Sequence, residues 1–154
     1  MNVKDFPVDL GMVMDEYVDL GNADRGYLTA IFARQRELIE KYHEIEDGNG
    51  AITVPLDTGP GGLGDLNSRQ VQMRLKDLAY RTVEELSEAT NCLKNKPWKQ
   101  DAVATDETHF YEEVADAFHF FLEFCITAGL SAETLTKVYF AKSEVNKFRQ
   151  RSNY

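Results

Sequence analysis

The chain has 154 residues, of which 43% are hydrophobic and 28% charged, and its formal net charge is −9 at pH 7. This length and composition are typical of one globular domain, so we expect residues 1–154 to form a single domain with its own core. The negative charge argues against DNA, RNA or an anionic membrane as a partner, because each of these requires a basic patch.

Targeting segments and cysteine spacing indicate the cellular compartment of the protein. The sequence shows no charged region followed by an apolar run at its start, and no segment approaches membrane-spanning length. We therefore expect a soluble, cytoplasmic protein. The two cysteines, Cys92 and Cys125, lie in helical patterns without CxxC spacing, which favours reduced and partly buried thiols.

The first half of the chain predicts two helices separated by a long loop. Apolar residues recur at helical spacing over 24–46. Residues 47–66, DGNGAITVPLDTGPGGLGDL, are rich in Gly, Pro and Asp and predict a loop, either a mobile lid or a simple connector. A second helix is expected to run from Asn67 or Ser68, either of which can be its N-cap, to about Lys94.

The second half of the chain predicts two further helices. The third runs from about Asp106 to Ala128 and is stopped by Gly129. Ser131 is the expected N-cap of the fourth, which continues to about Gln150. No strand-like alternation of any length appears. The predicted fold is therefore all-α, a bundle of four main helices with a long first crossover.

Four acidic residues lie at the edges of the predicted core. Glu85 and Glu88 are three residues apart on helix two, and their side chains therefore occupy neighbouring turns of one surface. Glu113 and Asp116 have the same spacing on helix three. Packed helix axes lie ~8–10 Å apart, so facing pairs would repel one another unless a hard divalent cation such as Mg²⁺ binds between them. Alternatively, these residues are solvated helix acids, which are common in acidic proteins.

Two further polar side chains lie on mostly apolar helices. Gln35 lies on the apolar line of helix one, where an amide can donate to and accept from the edge of a nucleobase. It could equally bond to a neighbouring backbone group. His119 on helix three is either a partner of the acids or a general base, or else a hydrogen-bonded structural residue. The sequence leaves these alternatives open.

One face of the predicted last helix is apolar near its start, where we expect it to face the core, and basic near its end. It carries, in order, Leu135, Val138, Tyr139, Lys142, Asn146 and Arg149. Basic residues are favourable near a helix C-terminus, but this face could also clamp phosphate and sugar. Likewise, Lys94 and Trp98 lie in a basic and aromatic loop after helix two, which could meet a triphosphate or form an exposed connector.

Three segments, EELSEA, EEVADAFHFFLEFCITAGLSAETL and YFAKSEVNKFRQRSNY, together resemble the dimeric dUTPase and dCTP/dUTP pyrophosphatase family. That family belongs to the all-α NTP pyrophosphatase superfamily, which also contains the MazG proteins. The resemblance covers about residues 67–154 and is weaker over 24–46. Its most specific part is the ending KSEVNKFRQRSNY, which is similar to the KxxxNxFRQxxGY ending of the dUTPase and T-even-phage dCTPase/dUTPase branch.

The resemblance implies a metal site and a substrate site. Mg²⁺, with Mn²⁺ as a substitute ion, would be held by Glu85, Glu88, Glu113 and Asp116, with Glu85 and Glu88 also catalytic. The substrate-binding residues would be Gln35, Lys94, Trp98, Lys142, Asn146 and Arg149, with Tyr154 nearby. Members of the family carry a second amide about one turn after the Gln, whereas this chain has Leu38 and Ile39. Strict uracil specificity is therefore not implied.

The resemblance also implies an activity and an assembly. The expected reaction is Mg²⁺-dependent hydrolysis of dUTP and/or dCTP to the monophosphate and pyrophosphate, by a homodimer or higher homo-oligomer with composite sites. Two alternatives remain open. One is a MazG-like pyrophosphatase acting on other (d)NTPs, including purines. The other is a non-catalytic helical interaction module.

Overall fold

The structure, a computed structural model, describes residues 26–151. These residues form four helices and no strand: α1 (Tyr27–Gly48), α2 (Arg69–Asn91), α3 (Glu107–Thr127) and α4 (Ala132–Arg151). The predicted all-α class with four main helices is confirmed. Every helix end lies within three residues of its predicted position; the largest differences are at the start of α1 and the end of α2.

Side-chain caps determine where three of the helices begin. The Ser68 hydroxyl accepts a hydrogen bond from the backbone N–H of Val71 over 3.5 Å. Asp106 and Ser131 accept in the same way at the starts of α3 and α4, over 3.2 and 3.1 Å. Each cap satisfies a backbone donor that has no partner within the first turn.

The hydrophobic core joins the helices to the long loop between α1 and α2. It consists of Phe32, Val54, Leu63, Val71, Leu122, Cys125, Ile126 and Ala132. Val54 and Leu63 belong to the loop, so this part of it is packed as a fixed portion of the folded body. Cys92 and Cys125 are free and buried, in agreement with the predicted reduced thiols.

The same loop closes against the end of α3 at two glycines. The backbone N–H of Gly64 donates to the carbonyl oxygen of Thr127 over 2.9 Å. Gly64 and Gly129 both have positive φ angles, 85° and 78°. A Cβ atom added to Gly129 would lie 2.8 Å from the Cα of Gly64, so this close approach requires glycine.

A buried arginine, which the sequence did not single out, connects three helices. The Arg74 side chain on α2 is 7% exposed. Its guanidinium lies 2.8 Å from a Glu46 carboxylate oxygen on α1 and bonds to Glu123 on α3. Burial raises the pKa of Glu123, while the charge and hydrogen bond of Arg74 oppose that rise. Arg74 therefore compensates a carboxylate that the packing of α3 removes from water.

Several apolar side chains are exposed. Leu86 on α2 and Leu93 beyond its end are 47% and 50% exposed. Val138 and Tyr139 on α4, which were expected to face the core, are 56% and 67% exposed. The expectation that the α4 face begins as core is therefore wrong beyond its first turn. The physical reason is that α4 leaves α3 at a bend of 99° and packs mainly on α1.

Among residues 26–151, no single helix has both the length and the apolar character needed to cross a membrane; α3 and α4 satisfy that criterion only as a strongly bent pair.

Candidate metal and nucleotide site

Three of the four predicted metal ligands meet at the interface between α2 and α3. Glu85 comes from α2, and Glu113 and Asp116 come from α3, one turn apart. One oxygen of each carboxylate lies within 4.8 Å of the others. The spacing follows from the helix geometry that the sequence predicts, because residues three apart on α3 lie on neighbouring turns. Three carboxylate oxygens from two rigid helices form a donor set of the kind that Mg²⁺ accepts.

The electrostatics of this cluster favour a positive charge. Glu113 is buried, whereas Asp116 is exposed and Glu85 is half-buried. Burial raises the pKa of Glu85, as do a hydrogen bond with Glu113 and the negative charges of Glu88, Asp116 and Glu113. Each of these effects disfavours the ionised form of Glu85. A bound cation would act in the opposite direction.

Glu88 lies beside the cluster rather than within it. Its side chain is exposed, and its oxygens are not among those that meet within 4.8 Å. Its charge nevertheless contributes to the raised pKa of Glu85. Glu88 also borders a cleft of about 400 Å³ that contains Lys94 and His109. Its role as a fourth ligand stays a prediction.

His109 joins the site, although no pattern in the sequence indicated a role for it. Its Nδ1 lies 3.1 Å from Oε1 of Glu113 and 3.8 Å from Oε2 of Glu112. The available signal was the four-residue spacing between His109 and Glu113 on a predicted helix, which brings the two side chains together. This histidine can orient the buried carboxylate of Glu113.

Gln35 and His119 form a second polar unit, between α1 and α3. Gln35 is 5% exposed, and its Oε1 lies 2.6 Å from Nδ1 of His119. Its partner is therefore a side chain, not the neighbouring backbone. His119 follows Asp116 by three residues on α3, so this pair is about one helical turn from the carboxylates. Two clefts, of about 310 and 210 Å³, border the pair on either side.

The basic loop after α2 is largely solvent-exposed. Trp98 is 76% exposed, and the Lys96 ammonium lies 5.6 Å from the centre of its ring. Lys94 is the member of this loop that approaches the acids, since it borders the same cleft as Glu88. The substrate-binding roles of Lys94 and Trp98 stay predictions.

The three predicted phosphate and sugar ligands are on α4, which packs mainly on a helix that carries none of the carboxylates. Lys142, Asn146 and Arg149 are exposed on a helix that packs mainly on α1. The carboxylates, in contrast, lie on α2 and α3. Tyr154, which the sequence placed near the site, falls outside residues 26–151. Their contribution to a site stays a prediction.

Comparisons with known proteins give limited but specific support. No family model matches the chain, and no solved structure matches it significantly. It is similar to a protein named dCTP pyrophosphatase from Enterobacteria phage LZ5, with 36% identity over 70 residues. The match covers 38% of this chain and 41% of that protein. The similarity supports a relationship to dCTP pyrophosphatase-like proteins over about two fifths of each chain.

Proposed function

We propose that the chain is a Mg²⁺-dependent pyrophosphohydrolase of a pyrimidine deoxynucleoside triphosphate, dCTP and/or dUTP. The products would be the deoxynucleoside monophosphate and pyrophosphate. The observation that carries the proposal is the convergence of Glu85, Glu113 and Asp116 within 4.8 Å on two packed helices. The similarity to a phage protein named dCTP pyrophosphatase supports the choice of substrate class.

The donor set fits the proposed ion. Mg²⁺ prefers carboxylate oxygens and keeps several sites for water and substrate phosphates, so three or four acids suffice. In this proposal Glu85, Glu113 and Asp116 hold the ion, and Glu88 completes the set from the next turn of α2. When bound, Mg²⁺ supplies charge neutralisation at the phosphates and lowers the pKa of water. It also explains how a chain of net charge −9 binds a polyanion.

The chain's own residues would position the remaining groups. Glu85, which contributes one of the three oxygens that meet within 4.8 Å, would orient or deprotonate the attacking water. His109 would hold the Glu113 carboxylate in place through the contact at 3.1 Å. Gln35 would contact the base, while Lys94 and Trp98 would lie near the phosphates.

We further propose that the functional unit is a homodimer. The exposed apolar side chains of α2 and α3 include Tyr80, Val83, Leu86, Val114, Phe118 and Phe121. Large exposed apolar patches mark interaction surfaces, and a second copy of the chain could cover them. A partner subunit would also offer Lys142, Asn146 and Arg149 to a site whose carboxylates lie on helices other than the one on which α4 mainly packs.

The decisive experiment is a substrate panel. The full chain is incubated with each of the dNTPs and NTPs in the presence of Mg²⁺, and the products are separated by chromatography. We expect dCMP or dUMP together with pyrophosphate, and no turnover when EDTA replaces Mg²⁺.

The other outcomes of this panel discriminate between the alternatives. Faster hydrolysis of purine nucleotides would contradict the pyrimidine assignment and indicate a broader, MazG-like range of substrates. No pyrophosphate release from any nucleotide would overturn the enzymatic proposal and favour a non-catalytic helical module.

A further inference from the structure

The hydrogen bond between Gln35 and His119 can form in either direction, because each side chain has both a donor and an acceptor. A neutral imidazole carries a proton on one ring nitrogen and a lone pair on the other, and an amide offers a donor and an acceptor at its two ends. The contact of 2.6 Å between Nδ1 and Oε1 is therefore satisfied when Nδ1 carries the proton. If the amide rotates by half a turn, it is equally satisfied by the other tautomer, with Gln35 as donor.

These two states present opposite groups to a ligand. When His119 donates to the Gln35 oxygen, the Gln35 amide nitrogen points away from His119 and can only donate. When Gln35 donates to His119, the amide oxygen points away from His119 and accepts. Within residues 26–151, His119 is the only hydrogen-bond partner of the Gln35 side chain. The second end of the amide is thus available to a ligand.

The cleft of about 310 Å³ beside the pair has the size and walls that suit a nucleobase. Small-molecule sites range from ~300 to 1,000 Å³ and are mostly apolar, with few polar groups that fix orientation. Tyr42 and Phe120 contribute aromatic surface to this cleft, and Leu38 and Ile39 contribute an apolar wall. Glu46 and Glu123 also border it, but both are engaged by Arg74. The polar groups that remain for a ligand are the Tyr42 hydroxyl and the ends of Gln35 and His119 that do not contact each other.

Cytosine and uracil differ by an inversion of hydrogen-bonding roles. Cytosine accepts at N3 and donates from its 4-amino group, whereas uracil donates at N3 and accepts at O4. Whichever of these positions meets Gln35, a site with a fixed donor would favour one base strongly. A Gln35–His119 pair that can exchange its donor and acceptor roles would form a hydrogen bond with either base.

We propose that His119 is a specificity-determining positioning residue, which sets the Gln35 amide in either of two orientations and so allows one site to take both dCTP and dUTP. The inference rests on the proposed function. It adds His119 to the proposed site and gives a mechanism by which that site recognises two different bases.

The test replaces His119 by residues with one or both hydrogen-bonding roles. His119→Asp provides only an acceptor, so Gln35 must donate to it and present its oxygen to the base. His119→Asn provides a donor and an acceptor and is the matched control. For each variant, kcat/KM is measured with dCTP and with dUTP in Mg²⁺, and circular dichroism with thermal melting verifies the fold.

We expect the ratio of the two kcat/KM values to change by ~10-fold or more in His119→Asp, because a mismatched hydrogen bond to the buried Gln35 amide is costly. The direction of the change identifies which base atom Gln35 contacts. The ratio should stay close to that of the wild type in His119→Asn. In a Gln35→Ala background, His119→Asp should no longer change the ratio, because the effect acts through Gln35.

A second readout does not depend on turnover. The chain has only three histidines, so the ¹⁵N resonances of His119 can be assigned, and they should report different tautomers with dCMP and with dUMP bound. An unchanged ratio in His119→Asp, or one tautomer with both nucleotides, overturns the inference while the proposed function stands. If the wild type hydrolyses neither triphosphate, the proposed function fails, and binding of dCMP and dUMP still tests the pair.

Discussion

Glu85 on α2 and Glu113 on α3 face each other across the helix interface, with carboxylate oxygens within 4.8 Å. Burial raises the pKa of Glu85, and a hydrogen bond with Glu113 raises it further. Two acids on rigid helices cannot move apart without loss of packing. The cluster therefore stores unfavourable electrostatic free energy in the metal-free protein, and a bound cation would relieve it.

The first prediction concerns stability. At pH 8, saturating Mg²⁺ should raise the Tm of the wild type by about 5–10 °C, the shift expected of an ion present at ~100 times its Kd. Glu113→Gln should have a higher Tm than the wild type without metal, because it removes a buried charge, and should respond little to Mg²⁺. Differential scanning fluorimetry measures both effects.

The matched control for stability is Glu112→Gln, which removes the neighbouring but exposed carboxylate. It should keep the full response to Mg²⁺. An equal Mg²⁺-induced shift in Glu113→Gln and in the wild type would contradict the metal assignment.

The second prediction concerns turnover. Glu85→Gln and Asp116→Asn should each lower kcat by ~10²–10³, the loss typical of removing one group that stabilises charge in a transition state. Glu84→Gln removes an exposed acid next to Glu85 and should keep nearly all activity. Pyrophosphate release from dCTP and dUTP provides the measurement. Wild-type rates in either cluster variant would show that these carboxylates hold no catalytic ion.

The third prediction concerns His109, whose Nδ1 lies 3.1 Å from Glu113. His109→Ala should weaken Mg²⁺ binding by ~10–100-fold, the usual effect of losing a group that orients a ligand. His109→Asn keeps a donor near the Nδ1 position and should recover much of the affinity. Titration of Mg²⁺ by calorimetry measures this, and equal affinities in His109→Ala and the wild type would leave His109 without a positioning role.

The sequence could predict the helices because each is marked by local chemistry. Ser68, Asp106 and Ser131 cap helices where they were expected to, or within one residue of it. The i, i+3 spacing likewise placed Glu113 and Asp116 on one surface. These features depend on residues that are close along the chain, so one sequence suffices to read them.

Features that depend on distant residues could not be read in this way. The Arg74–Glu123 contact joins residues 49 positions apart, and the Gln35–His119 contact joins residues 84 apart. The exposure of Val138 on α4 depends on the direction in which that helix leaves α3. Helical periodicity shows that a face is apolar, but it does not say whether this chain or another one covers it.

The fourth prediction concerns the proposed composite site. The full chain should sediment as a dimer, and Arg149→Ala alone should raise KM for the triphosphate. When Arg149→Ala and Asp116→Asn chains are refolded together, activity should return to about a quarter of the wild type. Half of the randomly mixed dimers are heterodimers, and each of these has one intact site of two.

The controls for complementation are the two variants refolded separately, which should remain weakly active. No gain on mixing, in a sample that sedimentation shows to be dimeric, would mean that each site uses residues of one chain.

The fifth prediction concerns Arg74 and the carboxylate of Glu123. Arg74→Met should destabilise the protein by about 3 kcal/mol at pH 8, because it leaves a buried charge without its partner. The pKa of Glu123 is already raised above its ordinary value of 4.5 by burial. Without Arg74, that rise should be greater, because the charge and hydrogen bond of Arg74 no longer oppose it.

The pH dependence follows from the sign of this shift. As pH falls, folded Glu123 binds its proton before the unfolded chain does, so stability is gained on lowering pH and lost as pH rises through the folded pKa. The destabilisation by Arg74→Met should therefore be smaller at pH 5 than at pH 8 in urea unfolding experiments. Adding Glu123→Gln to Arg74→Met should recover stability at pH 8. It should also reduce the difference between the destabilisation at pH 5 and at pH 8. An equal destabilisation at both pH values would show that Arg74 does not act through the charge of Glu123.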